Sequence, residues 1–176
     1  EPNIPQPFRT NKEMWKNDRM NLFIRTMGKR IGPKAETEEG RKKLLVVDGE
    51  PYWFSADMAL YFNYYILQAY DCSSYADLDN RFSQLVLQFS SKQTEEEIAK
   101  KLIVTENFEA HSGTGGVTFT TRDGKSVPSY LGMATWQPLN GRKGGIGSYH
   151  MEKDYAANPV YKYLRKGIQL MNPAVK

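Results

Sequence analysis

The chain is short of the side chains that small-domain chemistry uses most. Its 176 residues include one cysteine, Cys72, and two histidines, His111 and His150. A single cysteine excludes an internal disulfide and a cysteine-built zinc site. Two histidines in separate irregular segments cannot supply the three or four converging donors that a metal needs; His150 with Glu152 and Asp154 is the nearest approach to a cluster. No metal and no other cofactor is therefore expected. The sequence also lacks an Asn-x-Ser/Thr acceptor, a G-x-S-x-G elbow, a G-x-x-x-x-G-K-[ST] loop, an internal repeat and a low-complexity tract. Cys72 follows an apolar run, where an inert structural thiol is the usual outcome. Asp77 and Asp79, at i and i+2, would diverge on a helix, so they form no carboxylate pair. Without sequons or paired cysteines, an intracellular, reducing compartment (cytoplasm or an organelle interior) is expected. The first residue is glutamate, which predicts a processed or truncated N-terminus.

What is present is a folded chain's composition, with 40% hydrophobic and 25% charged residues and a surplus of tyrosine, eleven in all. Tyrosine suits core edges and protein contacts, because its ring wants burial while its hydroxyl wants a partner. Net charge is only +4, but its distribution is uneven. Residues 9–43 hold Arg9, Lys12, Lys16, Arg19, Arg25, Lys29, Arg30, Lys34, Arg41, Lys42 and Lys43 against five carboxylates. That local surplus of +6 on an otherwise near-neutral chain suits a polyanion, an acidic partner surface, or simply a solvated helix face.

Along the chain, "EPNIPQPF" reads as an extended arm over 1–9, followed by a single globular domain over 10–176. Met20, Phe23, Ile24 and Met27 have the spacing of one helix face, and residues 33–43 read as a linker. "KKLLVVDGEPYWF" reads as a β-hairpin turning at Asp48-Gly49 with Tyr52-Trp53-Phe54 as its return arm. "ADMALYFNYYILQAY" is apolar nearly all round, too short to span a bilayer, and predicts a central buried helix. Tyr75, Leu78, Phe82, Leu85 and Phe89 form one helical stripe, and Thr94 with Glu97 forms a capping box that opens a helix to about Val104. Val117, Phe119 and Thr121 before Asp123-Gly124 predict a second hairpin. Residues 131–158 read as a long irregular loop, and Asn158-Pro159 opens a last helix with Val160, Leu164, Ile168 and Met171 on one face. The expected fold class is α+β, mostly helical: about five helices around a buried central helix, two short β-hairpins, an extended N-terminal arm and a long Gly-rich loop.

One segment, "LLVVDGEPYWFSADMA" (44–59), resembles the opening of the Bro-N domain of viral and phage DNA-binding proteins: a strand, an Asp-Gly-Glu-Pro turn, an aromatic pair and a helix. The next stretch, "YFNYYILQAY", departs from that pattern by lacking the short helix and basic turn, so no residue role is carried over.

"NGRKGGIGSYH" (140–150) is the one candidate cradle, but no helix signal follows it closely enough for phosphate binding. It is expected to be a contact loop with Arg142 and Lys143 at its tips. Basic and aromatic residues interleave in "FRTNKEMWKNDRMNLFIR" and "YKYLRKGIQLM", a mixture that suits unpaired nucleic acid or an amphipathic helix. The expected function is a non-catalytic subunit of a larger assembly whose partners are other protein subunits. The contacts would be Arg9, Lys12, Lys16, Arg19, Arg25, Lys29, Arg30, Arg142 and Lys143, with Trp15, Tyr149 and Tyr161 as aromatic contacts. The alternatives are a nucleic-acid-binding protein using the basic helix and the 140–150 loop, or a small enzyme with a pocket near His111 and His150.

Overall fold

The computed structural model describes residues 11–49 and 54–173. The arm over 1–9 and the proposed return arm at Tyr52-Trp53 lie outside the described residues. The N-terminal part is helical: α1 (Lys12–Trp15), a π-helical turn (Lys16–Met20), α2 (Asn21–Gly28) and the short α3 (Glu38–Arg41). There follow β1 (Val46–Asp48), a 3₁₀ helix (Ala56–Tyr61), β2 (Tyr64–Gln68), α4 (Tyr75–Phe89), α5 (Glu95–Lys101) and β3 (Leu102–Asn107). The chain continues through β4 (Thr118–Thr120), β5 (Ser126–Pro128), α6 (Ser129–Thr135), β6 (Gly145–Tyr149), a 3₁₀ helix (Met151–Ala156) and α7 (Lys162–Met171).

The organising element is a four-stranded parallel sheet in the order β1-β2-β3-β6. This overturns the expectation of a mostly helical fold around a central helix. The segment read as that helix is a 3₁₀ turn running into β2, the second strand of the sheet. A strand flanked on both sides in a parallel sheet is apolar without alternation, so its pattern mimics a buried helix. β1 likewise pairs with β2 in parallel, Val46 opposite Tyr64 and Asp48 opposite Ile66, instead of folding back as a hairpin. Of the two hairpins expected, β4 with β5 is present, Phe119 opposite Val127.

The parallel strands follow one another in chain order with no reversal, and the helices gather on one face. That is the winding of an arc of a (β/α) barrel, not of a doubly wound sheet. On the helix side, Tyr65, Leu67, Leu102 and Val104 pack against Leu78, Phe82, Leu85, Phe89 and Ile98. The stripe on α4 drives this contact; Ser74 caps the helix by accepting from Asp77 N at 3.2 Å, and the Thr94–Glu97 capping box opens α5. By the two-residue period of strands, the opposite face carries Val46 and Asp48, Tyr64, Ile66 and Gln68, Ile103, Thr105 and Asn107, and Gly145, Gly147 and Tyr149. No described helix is long and apolar enough to cross a membrane.

Candidate functional site

In sheets wound this way ligands sit at the carboxyl ends of the strands, where side chains from several segments converge on one rim. Here that rim is made by Asp48 of β1, Gln68, Tyr70 and Asp71 at the end of β2, Asn107 of β3 with His111 in the loop beyond, and Tyr149 and His150 at the end of β6. Gln68 Nε2 donates to Asp48 Oδ2 at 3.4 Å, joining the first two strand ends. His111 Nε2 lies 2.6 Å from Asp71 Oδ1, joining the second and third. The Tyr70 and Tyr149 ring centroids are 6.5 Å apart, and Tyr149 meets His150 edge-on at 4.2 Å. His150 Nδ1 contacts Glu152 Oε1 at 2.7 Å. Asp71 and His150 both hold left-handed backbone (φ 59° and 53°), which turns each chain sharply out of its strand.

Beneath the rim, Glu106 has 0% exposure and points to the helix side of β3. Its Oε1 accepts from Asp71 N at 3.2 Å and from Asn107 N at 2.8 Å, while Oε2 accepts from the Ser129 hydroxyl at the start of α6. Gly116 (φ 107°) crosses this pair so closely that a Cβ would collide with Ser129 Oγ. One buried carboxylate therefore fixes the ends of β2 and β3, the first residue of α6 and the loop before β4. Asp71, Glu106 and His111 bring ligand atoms within 4.8 Å of one another. Both oxygens of Glu106 are already occupied by hydrogen-bond donors and Asp71 Oδ1 by His111, so the donor set fits a hydrogen-bond network better than an ion.

Among the described residues the carboxyl groups with displaced pKa values, Asp57, Asp123 and Glu152, all move down; for Glu152 the first cause is the His150 hydrogen bond. Burial pushes the Cys72 thiol up to about 12, which keeps it protonated and unreactive. What the rim offers is hydroxyls, amides, carboxylate acceptors, the exposed Tyr149 ring and the half-buried Tyr70 ring, a set suited to a polyhydroxylated ligand with apolar C–H faces.

The residues singled out from sequence are dispersed. Arg9 lies outside the described residues, and Lys12 lies in α1. Lys16 pairs with Glu13 at 3.1 Å and Lys29 with Glu36 at 3.9 Å, while Arg25 and Arg30 are exposed on α2 and just after it. Arg19 lies in the π-helical turn and Trp15 ends α1, half-buried. The stretch 140–150 is not a contact loop throughout, since its second half is β6. Its glycines serve close approach: a Cβ on Gly144 would strike the Lys100 carbonyl, and one on Gly147 would sit 3.0 Å from Thr105 Cγ2. Arg142 reaches the Met171 carbonyl at 3.1 Å, and Lys143 is buried, with Nζ donating to the carbonyls of Ala134 at 3.0 Å and of Trp136. Only Tyr149 of the contact set, with His111 and His150 of the enzyme alternative, belongs to the rim. Tyr161 stands at the start of α7. Asp48, Gln68, Tyr70, Asp71 and Asn107 were missed. Their shared signal is a short apolar run released into polar and aromatic residues, as in "YYILQAYD" and "LIVTEN".

The sequence signature of glycoside hydrolase family 18, BT1044-like, matches residues 6–170. Among solved structures, a selenomethionine-substituted Glu-to-Gln variant of BT1044 is similar with a TM-score of 0.72 and 31% identity, over 89% of this chain and 45% of that chain. An endo-beta-N-acetylglucosaminidase from Cordyceps militaris, a double mutant in complex with fucosyl-N-acetylglucosamine-Asn, is similar with a TM-score of 0.56 and 24% identity, over 85% and 49%. The apo form of the Cordyceps militaris enzyme gives 0.55 and 23% over the same shares. At those identities the likeness to the fungal enzyme is one of fold. The chain spans just under half the length of these structures. No curated protein sequence matches the chain.

Proposed function

Because the chain belongs to glycoside hydrolase family 18, in its BT1044-like group, we propose that its strand-end rim forms one wall of a glycosidase's sugar-binding cleft. The family match overturns the reading of a non-catalytic assembly subunit, together with the nucleic-acid alternative and the likeness to a DNA-binding domain. The physical reasons lie in the fold: Ile24 of the basic helix packs into the core, and the second half of the supposed contact loop is strand β6. Of the three readings, the enzyme is the one compatible with the family.

The observation that carries the proposal is the convergence of Gln68, Tyr70, Asp71, Asn107 and Tyr149 at the carboxyl ends of a one-way parallel sheet. Family 18 hydrolysis is substrate-assisted, which leaves the protein to orient the sugar and supply an acid. The rim suits the first task. Asp71 and Asn107 offer acceptors and donors to hydroxyl and acetamido groups, and the Tyr70–Tyr149 pair offers ring surface to a pyranose. A substrate containing N-acetylglucosamine is the class we propose, in line with the ligand bound by the fungal relative.

The test is isothermal titration of the chain with an N-acetylglucosamine dimer. Saturable binding is expected, weakened about tenfold or more, equivalent to roughly 1.4 kcal/mol, by Tyr149→Ala or Gln68→Ala. Binding that neither substitution changes, or no saturable binding by the unaltered chain, would overturn the assignment of the rim.

A further inference from the structure

We propose a second saccharide subsite beside the rim, built from Tyr155 and Tyr161 on the segment that leads out of β6, that holds a sugar unit beyond the one at the strand ends. It rests on the cleft reading above. The two rings meet edge to face with centroids 5.9 Å apart and an interplanar angle of 68°. Both are exposed, at 66% and 38%, and Met151 and Val160 beside them in the chain are exposed as well. The tyrosine pair is thus a small exposed aromatic surface, the kind of feature that suits a ligand contact.

The backbone supplies an independent reason. Tyr161 is held in left-handed conformation (φ 57°, ψ 30°) at the entry to α7. A bulky residue is costly there, and glycine or asparagine would make the same turn without strain. Its side chain does not cap the helix. That task falls to buried Asp154, whose Oδ2 accepts from Leu164 N at 2.8 Å and whose carbonyl accepts from Tyr161 N at 3.1 Å. The turn's own backbone does not call for a tyrosine, so the strain accompanies the ring, which packs on Tyr155 and presents its remaining surface outward.

The occupant follows from position and chemistry. The 3₁₀ helix Met151–Ala156 leads directly from His150, and five residues of such a helix advance about 10 Å. On that rise, a sugar chain lying against Tyr149 would reach Tyr155 only beyond its second unit. Along that path Glu152 is exposed and held ionised by His150, so its carboxylate can accept from sugar hydroxyls. Aromatic faces for the C–H surface, with a carboxylate for the hydroxyl edge, are the two contacts a pyranose needs.

Titration of the intact chain with an N-acetylglucosamine dimer and a pentamer separates the outcomes. The unaltered chain is expected to bind the pentamer about tenfold more tightly than the dimer. Tyr155→Ala and Tyr161→Gly should abolish that advantage and leave dimer binding unchanged. Tyr161→Gly should also keep or raise the melting temperature, because it removes the left-handed strain while deleting the ring. Failure of the unaltered chain to bind the dimer would sink the cleft reading itself. Normal dimer binding with a pentamer advantage that survives both substitutions would sink the second subsite alone. A change in self-association with unaltered sugar affinity would mark the patch as a protein contact and overturn the proposal.

Discussion

An ammonium group packed beneath the end of a helix is a costly arrangement, and Lys143 is one. Its Nζ closes the last turn of α6 by donating to the carbonyls of Ala134 and Trp136, a contact that favours the charged form. Burial opposes it and pushes the group down to about 7. In the unfolded chain a lysine titrates near 10.4. Between those two values the unfolded state binds a proton that the folded state lacks, so stability should rise as pH climbs from about 7 to about 10. Urea unfolding at intervals across that window checks it; the slope approaches 1.4 kcal/mol per pH unit at most and vanishes in Lys143→Met. A flat profile in the unaltered chain would mean that the two carbonyls hold the ammonium charged. Lys143 was legible in the sequence as a cation and nothing more. Its burial depends on α6 ending just above it, which no local pattern announces.

Elements meet at Glu106. Removing its carboxylate leaves the amides of Asp71 and Asn107 and the Ser129 hydroxyl without their acceptor, two strand ends and a helix start at once. Glu106→Ala is expected to cost about 3 kcal/mol or more in urea unfolding. Glu106→Gln, which keeps one oxygen, should cost less than half of that. Equal stability of all three proteins would show that the strand ends hold without the brace. The elements that could be read from sequence are those with a one-sided pattern: the α4 stripe of Leu78, Phe82, Leu85 and Phe89, the Thr94–Glu97 box, and the β4–β5 turn at Asp123-Gly124. β2 could not be, because Tyr64–Gln68 has neighbours on both sides and shows no alternation to separate it from a helix. β6 was hidden by glycines that suit a loop and here allow a strand to lie close to β3. The rim shared their fate. Its residues come from four separated segments and assemble only once those strands are parallel.

At the scale of the molecule, the rim predicts linkage between sugar binding and stability. A saccharide at a hundred times its dissociation constant adds about 2.7 kcal/mol, which in a chain of this size raises the melting temperature by roughly 5–10 °C. Thermal melts with and without the N-acetylglucosamine pentamer would register it, and an unmoved midpoint at saturating sugar would contradict the cleft. The sheet that carries the rim is an arc, and among the described residues β1 and β6 each have a neighbour on one side only. β6 is also the strand that places Tyr149 and leads into His150. Any chain that lies along the open side of β6 therefore touches the strand that positions Tyr149. The two events share one free energy: whatever factor such a neighbour adds to sugar affinity, sugar must return to the neighbour's affinity. On the proposed cleft reading, the outer backbone of β6 is thus where a neighbouring strand and a bound sugar would feel one another.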